Sequence, residues 1–207
     1  MKMLIVEDNA NHLADAKSLV TRISEAFGLE VRYASTLEEA TNLIEWAEVV
    51  VSDLFFPQVR GGSPDPVMPR LSGSEELIAF APQISGVALA AKVLAAGKKV
   101  IFCTSTYHHG DKTRPGDFWA RTHGVQMVDV DLDDDNPNGE AASKSWDAAV
   151  LYAVYLHRGG HVETIDKNGC RSYPPRVDNV ARAISFKMMV NDPRIDEILD
   201  AYYSLVS

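Results

Sequence analysis

Short apolar runs alternate with amphipathic stretches along this chain. Met3–Val6 is a continuous apolar run closed by the acids Glu7 and Asp8, the pattern of a strand covered on both faces. From Asn11 to Phe27, residues Leu13, Ala16, Val20, Ile23 and Phe27 recur at helical spacing and form one face, and Gly28 supplies a stop. Val31–Ala34 predicts a second strand. Ser35-Thr36-Leu37-Glu38-Glu39 offers a capping box into a helix with Leu37, Ala40, Leu43 and Ile44 inward. Val49-Val50-Val51, closed by Ser52-Asp53, predicts a third strand, and Gly86–Ala96 a helix. Val100–Cys103 predicts a fourth strand, ended by Thr104-Ser105, with a short helix around Asp117–His123 after it. Val125–Val130 predicts a fifth strand. Glu140–His157 predicts a helix with Trp146, Ala149, Val150, Ala153 and Leu156 on one side. Strands alternating with helices imply an α/β fold with a doubly wound parallel sheet.

Two segments fall outside the alternation. Residues 58–85 carry Pro64, Pro66, Pro69, Pro82 and Gly61-Gly62, and read as an inserted loop with a turn or two of helix at Ser74–Phe80. Loops of this length inside a compact domain are usually functional or mobile. After Gly159-Gly160, Val162–Tyr173 reads as a hairpin around Asp166-Lys167-Asn168-Gly169. Pro174-Pro175 breaks the chain, and amphipathic helices follow over Val177–Val190 and Pro193–Leu205. The expected organisation is a main domain over 1–158 and an extension over 159–207. The last two helices carry more apolar surface than a tail needs, including Phe186, Ile198, Leu199 and Tyr202. That surface packs on the main domain or makes a homodimer.

Composition narrows the function classes. The 207 residues hold 20 Lys and Arg against 29 Asp and Glu, a formal net charge of −9. So acidic a chain is a poor nucleic-acid binder, because phosphate contacts need a basic surface, and no direct DNA binding is expected. No apolar run is long enough to span a membrane, and Met1–Val6 is too short for a signal peptide. Cys103 and Cys170 form no motif, which fits a reducing compartment. The expected location is cytoplasmic.

Ligands of doubly wound sheets bind at the carboxyl ends of the strands. Those ends carry Glu7-Asp8, Ser52-Asp53, Thr104-Ser105 and Asp129-Val130-Asp131. Glu7, Asp8 and Asp53 supply the oxygen ligands that Mg²⁺ prefers. A hydroxyl from Thr104 or Ser105 would hold a phosphoryl oxygen opposite. A carboxylate acceptor, a metal and a hydrogen-bond donor are the equipment for moving a phosphoryl group.

On these residues the chain resembles the receiver (CheY-like) domain of two-component response regulators. Leu4-Ile5-Val6-Glu7-Asp8-Asn9 matches its first strand with the acidic pair. Val50-Val51-Ser52-Asp53-Leu54-Phe55-Phe56-Pro57 matches the third strand, with Pro four residues after the acceptor Asp. Gly86-Val87-Ala88-Leu89-Ala90 resembles the start of its third helix. Val100-Ile101-Phe102-Cys103-Thr104-Ser105 matches the fourth strand with its switch hydroxyl. The resemblance covers about residues 1–157 without the insertion and implies a flavodoxin-like, five-stranded sheet.

It implies Asp53 as phosphoacceptor, Thr104 on the phosphoryl group, and Mg²⁺ held by Glu7, Asp8, Asp53 and the carbonyl of Phe55. It implies a signalling module rather than an enzyme. Its partners would be a sensor histidine kinase or phosphotransfer protein and a downstream protein. The chain departs from the pattern at the fifth strand, where receivers carry Lys. Here Val125–Asp133 has none, and Asp131 stands near that place. Lys112 or Lys144 is the candidate substitute; without one, the domain works as a constitutive interaction surface. A different class also stays open. Glu7 with Asp129 and Asp131 resembles the acidic set of Toprim-type Mg²⁺ enzymes acting on nucleic acids, although Asp8 stands where those have a small residue. A plain interaction protein on the same scaffold is the third reading.

Overall fold

The computed structural model describes residues 1–64, 66–105, 111–128, 146–159 and 193–206. Five strands form one parallel sheet: β1 (Lys2–Val6), β2 (Glu30–Ala34), β3 (Val49–Ser52), β4 (Lys99–Cys103) and β5 (Gln126–Val128). Their order across the sheet is β2-β1-β3-β4-β5, the flavodoxin-like arrangement shared with CheY. The helices are α1 (Ala10–Phe27), α2 (Leu37–Leu43), α3 (Ser74–Phe80), α4 (Ser85–Ala95), α5 (Arg114–His123), α6 (Trp146–His157) and α7 (Pro193–Val206). A single 3₁₀ turn, Ala81–Gln83, joins α3 to α4.

The strands are continuous apolar runs because both faces of the sheet are covered. Successive side chains alternate between two cores. Met3, Ile5, Val49, Val51, Ile101 and Cys103 enter one core with α1, α6 and α7. Leu4, Val6, Val50, Val100 and Phe102 enter the other with α2, α4 and α5. All of these are at most 4% exposed. Each fully buried aliphatic or aromatic side chain among them contributes roughly 1.5–3 kcal/mol.

The helix ends follow local chemistry. Asn9 caps α1, its side chain accepting from the N–H groups of Asn11 and His12. Gly28 ends the helix at φ 61, a left-handed conformation that costs glycine little. The capping box of α2 forms as the sequence predicts: Thr36 Oγ1 accepts from Glu39 N–H at 3.1 Å, and Glu39 Oε2 accepts from Ser35 N–H at 2.9 Å. At the other end of α2, Lys98 Nζ donates to the carbonyls of Ile44 and Glu45.

Two features depart from the simplest reading of the pattern. The insertion is not a detached loop. Phe80, Ala81 and Ile84 are buried in the second core, Met68 and Leu71 pack half-buried against it, and Leu77 is buried too. Helix α6 is not one-sided, since every residue from Ala148 to Tyr155 is buried. It lies between the sheet, α1 and α7, and a helix that is apolar all round is a buried one. The covering element is α7, whose Ile198, Leu199 and Tyr202 join the first core, so this apolar face is used within the chain. The expected hairpin at 162–173, the helix at 177–190 and the first part of the Glu140–His157 helix lie outside the described residues.

Candidate functional site

The winding of the sheet reverses between β1 and β3, and this is where such folds bind ligands. Val6 is in register with Ser52. The ladder then runs one residue further on each side. Asp53 N–H donates to Val6 O at 2.9 Å, and Glu7 N–H donates to Ala34 O at 3.0 Å. This pairing sets Glu7 and Asp53 side by side at the mouth of the crevice, with Asp8 next along the chain.

Carboxylate oxygens of Glu7, Asp8 and Asp53 lie within 4.8 Å of one another. Glu7 is 0% exposed and Asp53 7%, while Asp8 is the most open of the three. Burying carboxylates together is costly unless hydrogen bonds or a cation compensate. Some compensation is local. Glu7 Oε1 accepts from Asn9 N–H at 2.9 Å, and Asp53 Oδ1 accepts from Leu54 N–H at 2.7 Å. The second bond fixes the rotation of the Asp53 carboxylate. The donor set is all hard oxygen. Adjacent ligands of an octahedral Mg²⁺ ion at 2.0–2.1 Å stand about 3 Å apart and opposite ones about 4.2 Å, so oxygens within 4.8 Å of one another need only to draw together to hold one. These three residues therefore fit a Mg²⁺ ion.

Thr104 follows β4 and is 1% exposed; its N–H donates to Val128 O at 2.9 Å. β4 runs beside β3 with Phe102 opposite Ser52, so Thr104 stands at the same edge of the sheet as Asp53. Phe55 is buried, and Lys112 Nζ sits over its ring, 4.6 Å from the centroid. A cation–π contact of this kind contributes about 0.5–2 kcal/mol and orients the ammonium. It brings Lys112 beside the segment that follows Asp53. Asp129, Asp131 and Lys144 lie outside the described residues.

One residue of the site has a role that its sequence neighbourhood conceals. Gly86, in the first turn of α4, donates its N–H to Leu54 O at 2.9 Å. A Cβ there would lie 2.5 Å from Asp53 O and 2.7 Å from Leu54 Cα. Only glycine lets α4 approach the backbone at the end of β3 so closely. The signal available in the sequence was a glycine inside an apolar helical pattern, which costs about 1 kcal/mol against alanine and so marks a packing reason.

No protein-family model matches the chain, and no curated protein matches it. Similar solved structures do exist. The N-terminal domain of an uncharacterized protein from Wolinella succinogenes is 23% identical, with 64% of this chain and 84% of that one covered and a TM-score of 0.36. A response regulator receiver domain protein from Clostridium thermocellum is 19% identical over 76% of this chain and 96% of that one, with a TM-score of 0.38. RcsB from Salmonella enterica serovar Typhimurium, bound to promoter rprA in the presence of the phosphomimetic BeF₃⁻, is 16% identical over 99% and 98%, with a TM-score of 0.37. At such scores the fold rests on the strand order and register given above, which are those of a CheY-like sheet, and the chemistry rests on the side chains.

Proposed function

We propose that this chain is a receiver-like signalling module in which Asp53 accepts a phosphoryl group in a Mg²⁺-dependent step. The observation that carries this reading is the convergence of Glu7, Asp8 and Asp53 at the β1/β3 switch point, within 4.8 Å of one another. A carboxylate oxygen of Asp53 attacks phosphorus, the bond from phosphorus to the donor breaks, and an acyl phosphate forms on Asp53. Glu7, Asp8 and the carbonyl of Phe55 would hold Mg²⁺ with Asp53, and the ion would offset the charge that develops on the phosphoryl oxygens. The Thr104 hydroxyl donates to one of those oxygens. Lys112, held against Phe55, takes the part of the lysine missing from the fifth strand. The donor is a histidine kinase or phosphotransfer protein, and the output is a contact with a downstream protein. The module transmits a state in the cytoplasm and turns over no free substrate, and its net charge of −9 argues against direct DNA binding.

The test is thermal stability with Mg²⁺ alone and with Mg²⁺ plus beryllofluoride, which mimics a phosphoryl group on a carboxylate. A ligand bound only by the native state raises stability with the logarithm of its concentration. The expected result is a further upward shift with beryllofluoride in the wild type and none in Asp53→Asn. No shift in the wild type, or an equal shift in Asp53→Asn, refutes the assignment.

A further inference from the structure

A second concave site lies away from the carboxylates. The insertion, α3 and the segment leading into α5 enclose a cavity of about 580 Å³, inside the ~300–1,000 Å³ range of small-molecule sites. Met68, Leu71 and Leu77 give it an apolar wall, and Met68 and Leu71 pack against the second core. Among the described residues, the polar part of its lining is cationic: Arg70, Lys112 and Arg114, against the one acid Asp111. Three cations around one cavity stand out in a chain of net charge −9. The two arginines are exposed, and neither has an ion-pair partner among the described residues.

We infer that this cavity binds a small amphipathic organic anion, with an apolar body against Met68, Leu71 and Leu77 and a carboxylate or phosphate head between Arg70 and Arg114. The chemistry of each part selects its half of the ligand. A guanidinium presents a planar fork of donors that matches a carboxylate or phosphate in two-point contact. Methionine and leucine supply a deformable apolar wall that tolerates different hydrocarbon shapes. A wholly apolar ligand leaves the arginines unmatched, and a bare inorganic ion leaves the apolar wall wet. The head-group chemistry is shared by fatty-acid-like and organophosphate ligands, so the choice between them is left to the competitors used.

The probe is 1-anilinonaphthalene-8-sulfonate, an apolar aromatic body carrying one anion, whose fluorescence rises on entering a dry site. It is titrated into the full chain and displaced with octyl phosphate, octanoate, octanol and inorganic phosphate. The expected result is saturable binding, displaced by octyl phosphate or octanoate at concentrations at least about tenfold below those needed for octanol or inorganic phosphate. The better of the two anions identifies the head group. Arg70→Glu with Arg114→Glu, at exposed positions that leave the core intact, is expected to weaken probe binding about tenfold or more while the thermal midpoint stays that of the wild type. The inference is overturned if octanol or inorganic phosphate competes as well as octyl phosphate. It is also overturned if the double charge reversal binds the probe as the wild type does. Neither readout depends on Asp53 or Mg²⁺, so failure here leaves the phosphoacceptor reading standing, and the converse holds.

Discussion

Replacing Gly86 with alanine tests the packing that holds the end of β3 in place. The new Cβ would lie 2.5 Å from Asp53 O, 2.7 Å from Leu54 Cα and 2.9 Å from Leu54 O, where ordinary contacts begin at 3.4 Å. All three are backbone atoms at the end of a buried strand, so no side chain can rotate out of the way. Helix α4 must withdraw by close to an ångström. That withdrawal stretches the hydrogen bond from Gly86 N–H to Leu54 O, now 2.9 Å, whose loss costs about 1 kcal/mol. It also loosens the contacts of Val87 and Ala90, which are 0% exposed, and overpacking of this kind costs about 1–3 kcal/mol. Against this, alanine is the better helix former by about 1 kcal/mol. The net expectation is a destabilisation of about 2 kcal/mol, or about 4–8 °C in thermal midpoint for a chain of this size.

Thermal melts followed by circular dichroism, with and without Mg²⁺, read both consequences. The midpoint falls, and any stabilisation by Mg²⁺ shrinks because the Asp53 backbone has moved. Gly73→Ser is the control of opposite sign. Gly73 caps α3 without a side-chain bond, and a Cβ there meets nothing within 4 Å. A serine cap is expected to raise stability by about 0.5 kcal/mol. A Gly86→Ala variant as stable as the wild type would refute the close approach of α4 to the end of β3.

Asp53→Asn keeps an oxygen for Leu54 N–H and removes one of three converging charges. The carboxylate oxygens lie within 4.8 Å of one another, and a pair of unit charges at about that distance repels by roughly 3 kcal/mol at an effective dielectric constant of 20. Urea denaturation in the presence of a chelator should therefore show the variant up to about this much more stable than the wild type, and a less stable variant would mean that the cluster is not under repulsion. The Glu39 carboxyl is held below the usual carboxylate range by the Ser35 N–H bond first, then by Arg60 and the Ser35 hydroxyl. A depressed value in the folded state gives stability that is present above the unfolded pKa and lost as pH falls through the folded one. The deficit of Glu39→Gln, measured by denaturation, should therefore shrink on acidification from neutral pH, and a deficit independent of pH would contradict the capping role. Burial, then the charge of Asp147, pushes the Tyr202 phenol up, and burial pushes Tyr152 higher still. Values raised on folding give stability that is lost as pH climbs above the ordinary tyrosine pKa of about 10. Melts across that range should show the alkaline loss reduced in Tyr152→Phe and Tyr202→Phe.

The sheet was legible because its physics is local to each strand. Runs such as Met3–Val6 and Val49–Val51 are apolar at every position, and only a sheet covered on both faces has use for that. The convergence of the acids was legible for a related reason: carboxylates are rarely buried without a partner, so Glu7 and Asp53 directly after such runs marked a candidate site, and the structure brings them together with Asp8. What escaped the sequence depends on contacts between distant segments. The spacing in α6 pointed to one buried side, yet α7 covers the other, and no periodicity within α6 reports that. The insertion read as a loop with a turn or two of helix at Ser74–Phe80, and a helix forms there. Its prolines and glycines did not report that Phe80, Ala81 and Ile84 dock into the second core. The contact of Gly86 with the Asp53 backbone exists only once α4 docks.

Lys112 ties the two sites together. Its ammonium lies over the ring of Phe55, two residues past the acceptor, and the same residue lines the cavity with Arg70 and Arg114. One ammonium is a single compact charge on a flexible stem. It cannot give its full interaction to a phosphoryl group on Asp53 and to an anion in the cavity at once. Occupancy of one site therefore opposes occupancy of the other, and by linkage the penalty is the same in both directions. Octyl phosphate should reduce the stabilisation by beryllofluoride, and beryllofluoride should weaken the sulfonate probe by the same factor. Lys112→Met should bring both factors close to unity. Coupling that persists in Lys112→Met would place the connection elsewhere, in the backbone that Gly86 and Leu54 share.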